Sequence, residues 1–326
     1  MALRRSGALW VVISAVTYSL FAVFTKNALR EGLRPTDLLV WRFAIAVPVI
    51  WAVVGWRAHR GGPRPNRAPV RHMFVLGVLF GVLALLAFTA LDHLSASLYT
   101  VIIYTYPAMV AVGAWALGQP APRLLWGALA VTLSGIALTT IPVALSASTQ
   151  VETIGVVFTV LNATFYAVYV LWSGRLLGAE RPPGQSYDGI VCAAWSLTGS
   201  LLFAVAVGLY SGVRAPHTSD AMLGLVGLAV ISTVIAGMTL LIGMATLGPA
   251  TAATIATLEP VLTLLWAVTL LNESLMTVQL AGAALVIGGV TWAQRMSVSR
   301  AVPRARRSPR RGLSPVDLPT SPPVRP

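Results

Sequence analysis

Charge is what this chain of 326 residues has least of. Only 10% of its residues are Asp, Glu, Lys or Arg, against 56% that are hydrophobic; a soluble domain carries about 25% charged residues. So few charges cannot cover a water-exposed surface, and the mean hydropathy of +0.78 points to an integral membrane protein. Lysine occurs once, at Lys26, so no phosphate loop ending in Gly-Lys-Ser/Thr exists and ATP hydrolysis by that route is excluded. Cysteine also occurs once, at Cys192, which excludes an intramolecular disulfide. The histidines, His59, His72, His93 and His217, lie far apart in or beside loops. No His-Glu-x-x-His pattern joins them, so neither a zinc site nor any other cofactor is expected. The longest internal loops, 56–72 and 173–188, are Arg/Pro/Gly-rich and leave no room for a soluble catalytic domain.

What the chain does have is ten apolar segments, at about 8–25, 36–55, 73–91, 96–117, 124–142, 154–172, 189–210, 222–246, 250–271 and 277–294. Each approaches the roughly 20 residues of a spanning helix, which predicts an all-α integral membrane fold of ten transmembrane helices. The net charge of +13 would suggest nucleic acid, but its distribution argues against that partner. With the N-terminus inside, 18 of the 23 basic residues fall on one side, in residues 1–7, alternate loops and the tail from Arg295; only Lys26, Arg30, Arg34 and Arg214 fall on the other. The positive-inside rule accounts for this asymmetry and places both termini in the cytoplasm. The run Ala8–Thr25 is too long for a signal-peptide core and lacks a convincing cleavage site, so it reads as a retained first helix of a protein in the cell membrane. The tail 295–326 mixes Arg, Pro and Ser and is expected to be disordered, either solvated or resting on anionic headgroups of the lipid bilayer.

A repeat lies within the apolar part. Phe80–Leu91, Ser95–Thr100, Tyr106-Pro107, Gly127 and Gly135 correspond to Ser232–Thr254, Glu259-Pro260, Gly282 and Gly288, and Ala15–Phe24 corresponds to Asn162–Leu171. The halves, 8–143 and 153–294, each hold five helices. An odd number forces the second copy to insert upside down, giving an inverted-topology repeat. Pro107 and Pro260 both fall in the fourth helix of their half.

The stretch 250–273 is the most informative. It is long enough to cross a bilayer, yet Glu259 and Pro260 sit near its middle. A carboxyl at that depth costs roughly 2.5–3.5 kcal/mol, so it calls for a partner, a proton or water. Pro260 lacks an N–H and its ring opposes the carbonyl four residues back, which predicts a broken helix beside a cavity.

The stretch Leu258-Glu-Pro-Val-Leu-Thr-Leu-Leu-Trp-Ala-Val-Thr-Leu-Leu-Asn-Glu, with the preceding Ala245-Thr-Leu-Gly-Pro-Ala-Thr-Ala-Ala, resembles the second repeat of EamA-type members of the drug/metabolite transporter superfamily. The resemblance covers residues 8–294. It implies a ten-helix inverted-repeat transporter, often an exporter of amino acids, other metabolites or toxic compounds, with a central cavity between the halves. In the first half Tyr106 stands before Pro107, and Gly118-Gln119-Pro120 replaces the family's closing glutamate. Glu259 therefore has no symmetric carboxylate.

Candidate substrate-pathway residues follow, each with a structural alternative. Glu259 would bind a cationic group or exchange a proton; alternatively it holds freed backbone near the kink or pairs with Arg42. Arg42, six residues inside its segment, either snorkels outward or faces inward, where its guanidinium would match a substrate carboxylate in a bidentate fork. Pro107 and Pro260 mark a site at the repeat interface or a plain packing kink. Tyr18, Tyr104, Tyr106, Asn162, Tyr166 and Tyr169 read as a cavity wall or as interhelical glue; Asn162/Tyr166 and Tyr166/Tyr169 share a helix face by spacing. Gly77 and Gly81 form a close-packing pair. No nucleophile motif surrounds Glu259, so the chain reads as a secondary transporter of a small-molecule substrate, with proton coupling open, and not as an enzyme. An importer is the alternative; a lipid-modifying membrane enzyme would need titratable groups clustered at one interface. The sequence is compatible with a homodimer but does not fix the oligomeric state.

Overall fold

A backbone surrounded by lipid must satisfy its own hydrogen bonds, and the chain does so with helices throughout. The computed structural model describes residues 2–61, 70–118, 123–145, 150–178, 188–247, 255–256, 258–274 and 276–301, and no strand occurs among them. Among the described residues six stretches are long and apolar enough to span a membrane: Gly7–Arg30, Pro35–His59, Val70–His93, Thr153–Trp172, Gly189–Ser211 and Ser219–Gly243. Four shorter apolar helices, Ala96–Val110, Trp126–Gly135, Leu258–Leu271 and Leu280–Gly289, occupy the fourth, fifth, ninth and tenth places. The order is that of the ten sequence segments, in an all-α membrane fold.

Several spans are built from more than one helix. The first is α1 (Ala2–Ser19) and α2 (Phe21–Arg30); the second is α3 (Pro35–His59) and the third α4 (Val70–His93). The fourth is α5 (Ala96–Ile103) and α6 (Tyr106–Ala116), the fifth α7 (Arg123–Leu145), the sixth α8 (Gln150–Gly178) and the seventh α9 (Gly189–Ser211). The eighth runs through α10 (Ser219–Val226), a π-helical stretch Gly227–Ile235, and α11 (Ala236–Leu247). The last two are α12 (Leu258–Leu271) and α13 (Thr277–Ala301). The expected tail thus begins later than Arg295, because 295–301 contain no proline or glycine and continue α13; Pro303 lies just beyond. The remainder of the tail, 302–326, lies outside the described residues.

Local sequence sets the helix ends. Ser95 caps α5 by accepting from Leu98 N at 3.2 Å, Asp188 caps α9 through Ile190 N at 2.8 Å, and Thr218 caps α10 through Ala221 N at 3.1 Å. Asn272 ends α12 at φ 54°, a left-handed turn that asparagine tolerates better than most residues. That turn delivers Glu273 to the start of α5. Its Oε1 accepts from Ala96 N at 2.7 Å, and its Oε2 accepts from Ser97 N at 3.0 Å and Ser97 Oγ at 2.6 Å.

Small residues let helices approach, as membrane helices require in the absence of a hydrophobic drive between them. Gly77 of α4 lies so close to α9 that an added Cβ would collide with the Ser196 carbonyl oxygen, and Ser200 Oγ donates to Gly77 O at 2.7 Å. A Cβ on Gly81 would meet the Phe203 ring. On α7, a Cβ on Gly135 would meet Gly282 O of α13 at 2.6 Å. Ser14 Oγ of α1 donates to Ala236 O of α11 at 2.9 Å.

The pairings recur in matched sets. Where α1 packs on α11, α8 packs on α4; where α6 packs on α8, α12 packs on α1; and α5 with α12, α7 with α13 and α3 with α9 pair across the halves. The buried core is largest around α3, α4, α9 and α10, with Leu38, Leu39, Phe43, Phe88, Leu225 and Leu228 sealed from solvent. Leu209, Leu223, Leu202 and Leu133 point outward, toward lipid.

Candidate functional site

Glu259 stands in the first turn of α12, about 18 Å along the axis from its Leu271 end at 1.5 Å per residue. Pro260 follows it, buried. Residues 255–256 are helical too, and Pro260 falls in the first turn of α12, where a missing N–H removes no bond within that helix. Residues 248–254 and 257, which the sequence reading took as the first half of this span, lie outside the described residues. Pro107 is likewise placed, as the second residue of α6, after a break at Tyr104 and Thr105. The Thr105 hydroxyl in that break is buried without a hydrogen-bond partner.

Around Glu259 the bundle gathers tyrosines. The Tyr104 hydroxyl, at the C-terminal cap of α5, lies within hydrogen-bonding reach of the Glu259 carboxyl group. Tyr104 and Tyr106 rings are 6.2 Å apart, Tyr106 meets Tyr166 edge to face at 4.5 Å, and Tyr166 stacks on Tyr169 at 6.1 Å with planes 10° apart. Tyr18 of α1 lies within electrostatic reach of both Glu259 and Arg42. Glu259 and these tyrosines are surrounded by protein, yet each is only half-buried. Side chains enclosed by protein that still keep surface are the arrangement expected around an internal chamber.

Of its two readings, cavity wall or interhelical glue, Asn162 makes a contact of the second kind. It is only 4% exposed, and its Nδ2 donates to the Tyr99 hydroxyl at 3.1 Å. It props Tyr99, a residue the sequence reading passed over because Leu-Tyr-Thr inside an apolar helix carries no mark of its own.

Arg42 does not snorkel. It is 4% exposed and its Nε donates to Thr233 Oγ1 at 2.9 Å. Its Cζ lies over four rings, Phe21 at 5.2 Å, Phe43 at 5.3 Å, Phe80 at 5.6 Å and Phe88 at 5.6 Å, a cage of cation–π contacts. Thr233 belongs to the π-helical stretch and donates in turn to Leu228 O, five residues back, at 2.7 Å; such insertions often mark functional sites. The suggested Arg42–Glu259 pair is not formed. Among the described residues the ion pairs are Arg34–Asp37 at 2.9 Å and Arg57–Asp188 at 3.1 Å, both away from the chamber.

The two charges are instead joined by an aromatic wall. Phe43 meets Phe80 at 6.1 Å and Phe80 meets Tyr169 at 5.9 Å, and the tyrosine series continues from there to Glu259. A chamber with a cation at one end, an acid at the other and stacked rings between can hold a small solute by polar ends and an apolar or planar body.

One end of the bundle is tied by polar contacts. Asp37, fully buried, accepts from Arg34 N, Nε and Nη2 and from Arg214 N at 2.8–3.0 Å. Thr218 Oγ1 donates to Glu31 at 2.6 Å, and Arg30 Nη2 donates to Leu271 O at 3.3 Å. The Glu273 contacts to α5 lie at this same end.

The model of the EamA-like transporter family matches twice, over residues 5–141 and 153–293. An uncharacterized transporter of Archaeoglobus fulgidus is 26% identical over 272 residues, 82% of this chain and 90% of its own length. The uncharacterized transporter YcbK of Bacillus subtilis is 26% identical over 300 residues, 88% of this chain and 92% of its own. A crystal structure 22% identical to the chain superposes with a TM-score of 0.62, covering 90% of this chain and 98% of that one, a likeness of fold.

Proposed function

The chain belongs to the EamA-like transporter family, and from that premise we propose that it exports small metabolites, such as amino acids or toxic compounds, across the cytoplasmic membrane by alternating access. Two five-helix halves of inverted topology rock about the chamber, driven by a solute or proton gradient, with both termini in the cytoplasm. The observation that carries this reading is the origin of the wall. Tyr18 comes from the first span, Tyr104 and Tyr106 from the fourth, Tyr166 and Tyr169 from the sixth, and Glu259 from the ninth. These are corresponding spans of the two halves, so a relative motion of the halves opens the chamber to one side or the other.

The polar ties at the Asp37 and Glu273 end support a closed outer side, since the charge asymmetry assigns that end to the outside. Inverted symmetry alone permits either direction, so direction is tested directly. Cells expressing the protein are preloaded with amino acids, toxic analogues or lipophilic cations, and release and uptake are followed in parallel. Export predicts faster release of one class than from cells without the protein. Unchanged release of every class with increased uptake of one solute would establish an importer instead.

A further inference from the structure

We propose that Arg42 is the anchor for a carboxylate, and that the chamber takes small monocarboxylates with an apolar body. This deepens the transporter reading by naming the substrate class of the same chamber.

A guanidinium withdrawn from water needs compensation for the lost hydration. Arg42 is 4% exposed, and its one hydrogen bond among the described residues is from Nε to Thr233. The four phenylalanine faces stabilise the positive charge but accept none of its remaining N–H groups in a strong bond. Nη1 and Nη2, with four N–H donors between them, are unspent. They are not fully sealed off either: among the described residues the fully buried side-chain polar atoms without a partner are Thr25 Oγ1 and Thr105 Oγ1, and Arg42 keeps a small exposed surface. Tyr18 and Tyr99, the groups within its electrostatic reach, carry no charge as neutral phenols.

The direction of the free donors follows from the bond already made. With Nε held by Thr233, the free edge of the guanidinium is the pair Nη1 and Nη2, two parallel donors matched to the two oxygens of one carboxylate. The four ring centroids lie 5.2–5.6 Å from Cζ and hold the group in place without taking its terminal N–H groups. Beyond it runs the aromatic wall through Phe80, Tyr169 and Tyr166, against which an apolar body packs. A neutral amide of the same shape offers one carbonyl acceptor and would set an N–H group against a donor.

The test uses the full chain in lipid nanodiscs and follows thermal unfolding with benzoate or benzamide as probes. Benzoate is expected to raise the Tm in a saturable way, and benzamide at the same concentration is not. Arg42→Gln is expected to abolish the benzoate shift. Arg42→Lys, which keeps the charge and the fold but loses the planar fork, is expected to weaken benzoate binding at least tenfold. Equal shifts with benzoate and benzamide, a benzoate shift unchanged in Arg42→Lys, or no shift with benzoate, phenylacetate or butyrate would each overturn the assignment. Proteoliposome flux separates the two claims: benzoate binding at Arg42 without movement of any solute refutes transport and keeps the anchor, whereas flux indifferent to the carboxylate keeps transport and refutes the anchor.

Discussion

Arg42 and Thr233 meet at 2.9 Å across 191 residues of sequence, tying the second span to the π-helical stretch of the eighth. The bond sets which edge of the guanidinium faces the chamber. Thr233→Val removes the acceptor and leaves a charged donor unpaired in a dry cage, at a cost of about 1.5–3 kcal/mol. A lowered Tm in nanodiscs is the expected result; a Tm equal to that of the unaltered chain would show that the bond contributes nothing.

Gly77 and Gly288 make a contrasting pair. Gly77→Ala drives a Cβ into the Ser196 carbonyl, backbone against backbone, and the strain of overpacking is about 1–3 kcal/mol or more. A Cβ on Gly288 meets nothing within 4 Å, so Gly288→Ala is expected to be neutral or to gain up to about 1 kcal/mol in helix propensity. Membrane yield and thermal unfolding of the two variants, compared side by side, check both signs.

Glu273 closes α12 against the N-terminus of α5 with three charge-assisted bonds. Glu273→Ala removes them all and leaves the first turn of α5 uncapped at that point, a loss of about 1–2 kcal/mol. The expected consequence is wider opening at this end, read as faster labelling of a cysteine introduced at Leu98 by a membrane-impermeant maleimide. Labelling at the original rate would show that the contacts hold nothing shut.

Tyr106 contributes a ring rather than a hydroxyl to its nearest neighbour, Tyr166, at 4.5 Å and 85°. Such a contact is worth about 0.5–1.5 kcal/mol. Tyr106→Phe keeps it and Tyr106→Ala loses it, so the alanine variant alone is expected to raise the KM of transport severalfold. Equal KM for both variants would mean that the wall does not shape the site.

Much of this molecule is visible in its sequence because lipid imposes few solutions. Ten apolar segments dictate ten helical places, and Glu259, costly at its depth, announces a chamber. Helical spacing paired Tyr166 with Tyr169, and the rings stack. At Asn162 spacing leaves wall and glue both open, since sharing a helix face with Tyr166 does not say which neighbour takes the amide; the Tyr99 hydroxyl does. Arg42 was ambiguous because the distance from a helix end allows both snorkelling and burial; only the Phe21, Phe43, Phe80 and Phe88 faces, from three helices, decide it. These phenylalanines are indistinguishable in sequence from ordinary core residues. Pro107 is legible as a break in its helix, and the structure places it just after the interruption at Tyr104 and Thr105, in the first turn of α6.

The most direct test of the chamber as the transport site is efflux of the solute class identified in the release panel, measured for the unaltered chain and Glu259→Gln at matched membrane abundance. Glu259→Gln is nearly isosteric, keeps an acceptor toward Tyr104, and removes only the charge and the exchangeable proton. Efflux is expected to fall at least tenfold in the variant while its unfolding temperature stays within a few degrees. Efflux at the unaltered rate would contradict a role for Glu259 in moving the substrate and make it a structural support of α12.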